Sequence, residues 1–142
     1  QFDNYCELDP EVVDEWGIPV LRFNYQWTDY EIDQAKHMQE SMEALLEASG
    51  GILLGEKPGA NRKYGLAKPG EIIHEVGTTR MGLDPKNSVT NQFGQLHDAS
   101  NVFVVDAGTF VSQADKNPTW TILALSWRAS DYIIEQMKQQ NI

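Results

Sequence analysis

The spacing of apolar positions changes along the chain, and each change marks an element. In "GIPVLRFNYQW" (17–27), Leu21, Phe23 and Tyr25 alternate with Val20, Arg22 and Asn24, which is the two-residue period of a strand with one buried face. Over "TDYEIDQAKHMQESMEALLEASGG" the period lengthens, and Ile32, Ala35, Met42, Leu45 and Leu46 fall on one helical stripe. Thr28 can cap this helix, with Glu31 three positions later closing a capping box, and Gly50 and Gly51 end it. From Gly51 to Gly70 periodicity lapses among glycines and prolines. That stretch holds Lys57, Arg62, Lys63 and Lys68 and reads as a solvated or mobile connection without assigned chemistry.

The second half has a different character. "LDPKNSVTNQFGQLHD" is dense in turn residues and predicts short strands or a hairpin. "NVFVVDAG" reads as a compact apolar strand, covered on both faces, with Asp106 at its carboxyl end. In open α/β sheets that edge is where ligands dock. "NPTWTILALSWRASDYIIEQMKQQ" predicts a helix over 118–138, with Asn117 as its cap and Pro118 in the first position, where a missing N–H costs nothing. Ile122, Leu125, Ala129, Ile133 and Met137 form its buried stripe. Leu123, Ala124 and Trp127 widen that stripe so far that the helix should be mostly enclosed by other protein. The change of character places a boundary near residue 75.

Composition narrows the chemistry. A length of 142 residues suits one domain, and 41% hydrophobic content suffices for a core. The formal charge of −10 repels phosphate backbones and anionic lipid, so nucleic acid is not an expected partner. Cys6 is the sole cysteine, which excludes an intrachain disulfide and a cysteine-rich zinc site. No apolar run approaches the roughly 20 residues that span a bilayer. The first residue, Gln1, fits a processed chain or an excised segment.

Candidate sites were weighed by spacing. His37, His74 and His97 form no HxxxH or HExxH pattern, so no metal site is expected. "GTTRMG" lacks the P-loop lysine, no GxSxG occurs, and "GGILLG" follows a helix with the wrong spacing for a dinucleotide fingerprint. His74 in "IIHEVGTTRMG" reads first as a packed histidine where a short buried strand meets its turn. With Asn117 and Asp106, each at the edge of an apolar element, it forms a candidate polar cluster.

"HEVGTTRMG", "NVFVVDAGTF" and "NPTWTILALSWRASDYI", in that order over about residues 72 to 138, resemble the C-terminal region of the glucose–methanol–choline (GMC) flavin-dependent oxidoreductases. "WGIPVLRFNYQWTD" and its helix resemble the end of that family's substrate domain more loosely, and "NQFGQLHD" suits its bacterial sugar and polyol dehydrogenases. The resemblance implies an α+β fold. Residues 1–75 would be the end of the substrate domain, part of its sheet with a helix. Residues 76–142 would carry the last strand and long C-terminal helix of the FAD domain.

It also implies roles. His74 would take the hydroxyl proton of an alcohol or sugar, and Asn117 would hydrogen-bond the same oxygen. Asp106 and Ala107 would run beside the ribityl and pyrophosphate region of flavin adenine dinucleotide (FAD). Asn117, Pro118 and Thr119 would also be cofactor-binding, bringing the helix N-terminus to the flavin and favouring negative charge there. The chain departs from the family in lacking the Rossmann motif. It is therefore expected to need an N-terminal FAD-binding region, in cis or in trans, and to hold no FAD and turn nothing over alone. The alternative is a non-catalytic binding or assembly module that keeps the fold.

Overall fold

The computed structural model of the protein describes residues 1–113 and 115–142. They form two compact units, Gln1–Ile72 and Ile73–Ile142.

The first unit opens with a hairpin. Strand β1 (Tyr5–Val13) pairs antiparallel with β2 (Pro19–Asn24), with Leu8 opposite Leu21, and the register shifts between Leu8 and Val13. The turn is organised by Asp14, whose Oδ1 accepts from the amides of Trp16 and Ile18 at 2.9 Å. Arg22 sits directly across from Glu7, and its Nη2 lies 2.5 Å from Glu7 Oε1. That hydrogen bond holds the Glu7 carboxyl below the usual carboxylate range. The alternation in β2 is real, but the expected buried face is not covered. Leu21, Phe23 and Tyr25 are exposed, as is Leu8 across from Leu21, because the described residues supply only two strands and no layer over them.

Helix α1 spans Asp29–Ala48. The carboxylate of Glu31 accepts from the Thr28 amide at 2.8 Å and from the Thr28 hydroxyl, the expected closure of its first turn. At the other end Gly50, at φ +76°, donates its amide to the Glu47 carbonyl at 3.0 Å. The inward line is Ile32, Ala35, Gln39, Glu43 and Leu46, narrower than expected, and Met42 and Leu45 lie exposed. The connection after α1 is largely exposed, all of residues 51–57 among it, as a solvated stretch should be, but part of it docks on the unit. A 3₁₀ turn at Ala60–Gly65 packs on α1, and Gln39 Nε2 donates to the Tyr64 carbonyl at 2.8 Å. Trp27 Nε1 donates to the Ala67 carbonyl at 2.7 Å, and Lys57 pairs with Glu43 at 2.5 Å.

The second unit is built from turns against one helix, α2 (Thr119–Lys138). Isolated bridges join Met81 to Thr90, Thr90 to Leu96 and Gln95 to Phe103, in keeping with the short pairings expected after Leu83. Residues 101–106 form no strand beyond the Phe103 bridge, and Val102 and Val105 are exposed, so "NVFVVDAG" is not a strand covered on both faces. On α2, Ala129 is buried and Ile122, Leu125 and Ile133 are half-buried, whereas Met137 is exposed. Among the described residues nothing encloses the wide stripe: Leu123 is 56% and Trp127 74% exposed.

Candidate active site

The segment after His74 is the middle of the second unit. On one edge the amides of Gly77, Thr79 and Met81 donate to the carbonyls of Ala107, Gly108 and Thr109 at 3.4, 2.9 and 2.9 Å. On the other edge Gly82 donates to Thr90 at 2.8 Å and Val89 to Arg80 at 3.0 Å. "GTTRMG" and "DAGT", thirty residues apart in the chain, are thus paired main chain to main chain.

Asp106 begins the turn that meets this segment. Its Oδ1 accepts from the Gly108 amide at 2.7 Å and caps a 3₁₀ turn, Ala107–Thr109, while the Thr109 hydroxyl donates to the Asp106 carbonyl at 3.1 Å. A side chain at 108 would force its neighbours to shift. A β-carbon there would lie 2.7 Å from Thr79 Oγ1, 2.8 Å from Asp106 Oδ1 and 2.9 Å from Thr78 Oγ1. The Thr79 hydroxyl is buried and has no hydrogen-bond partner.

Helix α2 is fastened beside this turn. Ser126 Oγ donates to the Val105 carbonyl at 2.7 Å. Six residues further along the helix, Tyr132 stacks on Phe93 with ring centroids 4.0 Å apart and planes 3° apart, and Phe103 meets Tyr132 edge-on. Arg128 lies over the other ring of the stack, Phe93, at 5.7 Å and donates to the Gln92 carbonyl.

The candidate residues are thereby placed as follows. His74 lies in the second unit, half-buried, and its side chain makes no hydrogen bond or ion pair among the described residues. Asn117 is exposed and likewise without a partner. It is not the helix cap as expected: Pro118, already at helical φ and ψ of −81° and −10°, holds that position, and Ile122 donates to its carbonyl at 3.0 Å. A residue before proline is driven to extended backbone, which leaves Asn117 outside the helix. No hydrogen bond joins His74 to Asn117 among the described residues.

The groups free to hold a ligand are clear. The amides of Thr119, Trp120 and Thr121 have no acceptor among the described residues, and the exposed Asp106 keeps Oδ2 unbonded. Amide donors at a helix N-terminus and an exposed carboxylate suit a cofactor with both anionic and hydroxyl edges, so these residues fit a flavin dinucleotide. Among the described residues no group of three or more His, Cys, Asp or Glu could hold a metal ion, and no helix is long and apolar enough to cross a membrane. The supporting residues Thr79, Thr90 and Ser126 escaped sequence reasoning, because a lone hydroxyl in a turn or a helix carries no periodic signal.

Comparison with known proteins matches the family described as GMC oxidoreductase to residues 2–126. The 2-methyl-1,2-propanediol dehydrogenase of Mycolicibacterium austroafricanum is 35% identical over 130 residues, 92% of this chain and 22% of the relative. The gluconate 2-dehydrogenase flavoprotein of Pantoea cypripedii is 33% identical over 94% of this chain and 22% of its own length. The fructose dehydrogenase large subunit of Gluconobacter japonicus is 30% identical over 96% and 24%. The chain therefore spans less than a quarter of the length of these relatives.

Proposed function

Since the chain belongs to the GMC oxidoreductase family, we propose that it is the C-terminal segment of an FAD-dependent enzyme oxidising CH–OH groups of alcohols or sugars. The carrying observation is the main-chain pairing of the segment behind His74 with the turn of Asp106, beside which Ser126 fastens α2. It joins within one unit the segment that follows His74, the Asp106 turn and α2, which supports a common role for them. The relatives' activities by name, on a propanediol, on gluconate and on fructose, support small hydroxylated substrates.

In this reading residues 1–75 end the substrate domain and residues 76–142 complete the FAD domain. Asp106 and Ala107, with Pro118 and Thr119, hold the cofactor, and bound FAD supplies the acceptor for the hydride. His74, having no hydrogen-bond partner among the described residues, offers an imidazole nitrogen to the substrate hydroxyl and takes its proton as the carbon gives up hydride. Asn117 offers its carboxamide N–H to the same oxygen without a titration of its own. The first-turn amides of α2 favour negative charge on whatever edge lies before them. Pro118 contributes no donor, so Thr119 is the first that can. The Rossmann part that grips the dinucleotide comes from an N-terminal region, in cis or in trans.

The test is anaerobic reduction of the full-length flavoprotein by alcohols and sugars, followed at the visible flavin band. His74→Ala is expected to slow reduction by about 10²- to 10⁴-fold with flavin retained. Reduction at the wild-type rate in that variant defeats the proposal.

A further inference from the structure

We infer that Thr90 is a positioning residue for His74, acting through the carbonyl of Thr79; this rests on the proposed role of His74 as base. Residues 73–76 make no hydrogen bond among the described residues, so the first downstream tether of His74 is the paired segment beginning at Gly77. The amides of that segment are bonded along one edge to residues 107–109. The Thr79 carbonyl is reached by no main-chain amide. Its donor is the Thr90 hydroxyl, at 3.0 Å.

Thr90 is fully buried, at 0% exposure, and its main chain bridges both Met81 and Leu96. A valine would fill the same shape without a polar group to satisfy, so the use of the hydroxyl is the bond it makes. Thr79 itself is half-buried, and the Thr90 hydroxyl is the donor its carbonyl has among the described residues, so losing that hydroxyl leaves the carbonyl without a protein partner. Thr79 meanwhile gives its own amide to Gly108, so of the two peptide planes flanking its Cα one is held by the Asp106 turn and the other by Thr90. Gly77, at φ +87°, then turns the chain toward His74. His74 lies five residues from Thr79, a lever spanning at most about 18 Å, along which rotation at Thr79 is carried through the Gly77 turn to the imidazole. Misplacement by about 1 Å can cost about 10²-fold, and a lever of this kind is expected to give about tenfold.

The experiment uses the full-length flavoprotein with Thr90→Val, Thr90→Ser and Thr90→Cys, and reads flavin content, thermal midpoint, limiting flavin-reduction rate and substrate Kd. The valine variant should reduce about tenfold more slowly at saturating substrate, with Kd within about twofold, and the serine variant should return to within about twofold of wild type. A purely structural Thr90 would lower the midpoint of the valine variant and leave its limiting rate unchanged, which overturns the inference. So does a serine variant as slow as the valine one. If the valine variant does not accumulate, the cysteine variant, a weak donor, should lose about threefold, and a wild-type rate there is equally fatal. A slow His74→Ala enzyme beside a normal Thr90→Val enzyme sinks this inference alone. A normal His74→Ala enzyme sinks the underlying reading.

Discussion

Ser126 donates its hydroxyl to the carbonyl of Val105 at 2.7 Å, and the next residue in the chain is Asp106. The bond sets both the height and the rotation of α2 against the Asp106 turn. Ser126 stands seven residues past Thr119, so the pinned point is about 10 Å along the axis from the helix N-terminus. Removing the hydroxyl leaves the aromatic stack of Phe93 and Tyr132, with Arg128 on Phe93 and the Gln92 carbonyl, to hold the helix. Ser126→Ala is expected to cost about 1 kcal/mol, measured as a shift in the denaturation midpoint, with the helix content unchanged. A midpoint equal to wild type would show that these contacts set the helix without Ser126.

Gly108 makes the converse prediction, since it fails by addition. An alanine β-carbon would meet the oxygens of Thr79, Asp106 and Thr78 within 2.7 to 2.9 Å, and two of these belong to the segment paired with the turn. The neighbours must separate to admit it. Gly108→Ala should destabilise by about 1–3 kcal/mol and lower the flavin content of the full-length protein as it is purified. Wild-type stability and flavin content together would mean that the turn and the segment are not in this contact.

The parts of this structure legible in the residues are those that depend on neighbours in sequence. Thr28 with Glu31, and the glycines after Ser49, mark both ends of α1 because caps are local hydrogen bonds. The long apolar period of 118–138 likewise marks α2 to within a residue. Strand β1 was not legible: Glu7, Asp9, Pro10 and Glu11 give it poor strand composition, and it forms because Arg22 and Leu21 lie across from Glu7 and Leu8. The apolar stripes told that Leu21, Phe23, Met42 and Trp127 seek cover, but periodicity cannot say whether the cover is in the same chain. The motif order singled out His74, Asp106 and Asn117, and the pairing of 77–81 with 107–109 accounts for the nearness of the first two motifs. Asn117 was misread as a cap because cap preference by residue type does not register that proline can itself hold the cap position with helical angles.

Acid should weaken α1 through one identifiable group. Hydrogen bonds from the Thr28 hydroxyl and then the Thr28 amide hold the Glu31 carboxyl below its ordinary value of 4.5. With the folded pKa depressed, the stabilisation is fully present above 4.5 and is lost as pH falls through the lower folded value. Glu7 and Asp9 are depressed as well, so the wild-type decline has several sources and the informative quantity is a difference. Melting midpoints of wild type and Glu31→Gln, taken between about pH 3 and pH 6, should converge toward the acid end and separate toward the neutral end. A constant gap across that range would assign the effect to something other than titration of Glu31.

The exposed apolar surface gives a prediction about the chain by itself. Trp120 and Trp127 on α2, and Leu21 and Phe23 on β2, are large side chains left uncovered, and contiguous patches beyond a few hundred Å² are uncommon on soluble monomers. The 142-residue chain made alone should therefore bind a hydrophobic dye and self-associate in sedimentation, and it should not quench flavin fluorescence when mixed with FAD. Supplying the N-terminal FAD-binding region in trans should suppress dye binding and allow flavin to be retained, because the apolar faces and the dinucleotide grip would then be provided together. A dye-silent, monomeric chain that binds FAD unaided would contradict the need for that region, and would place the cofactor grip within these residues.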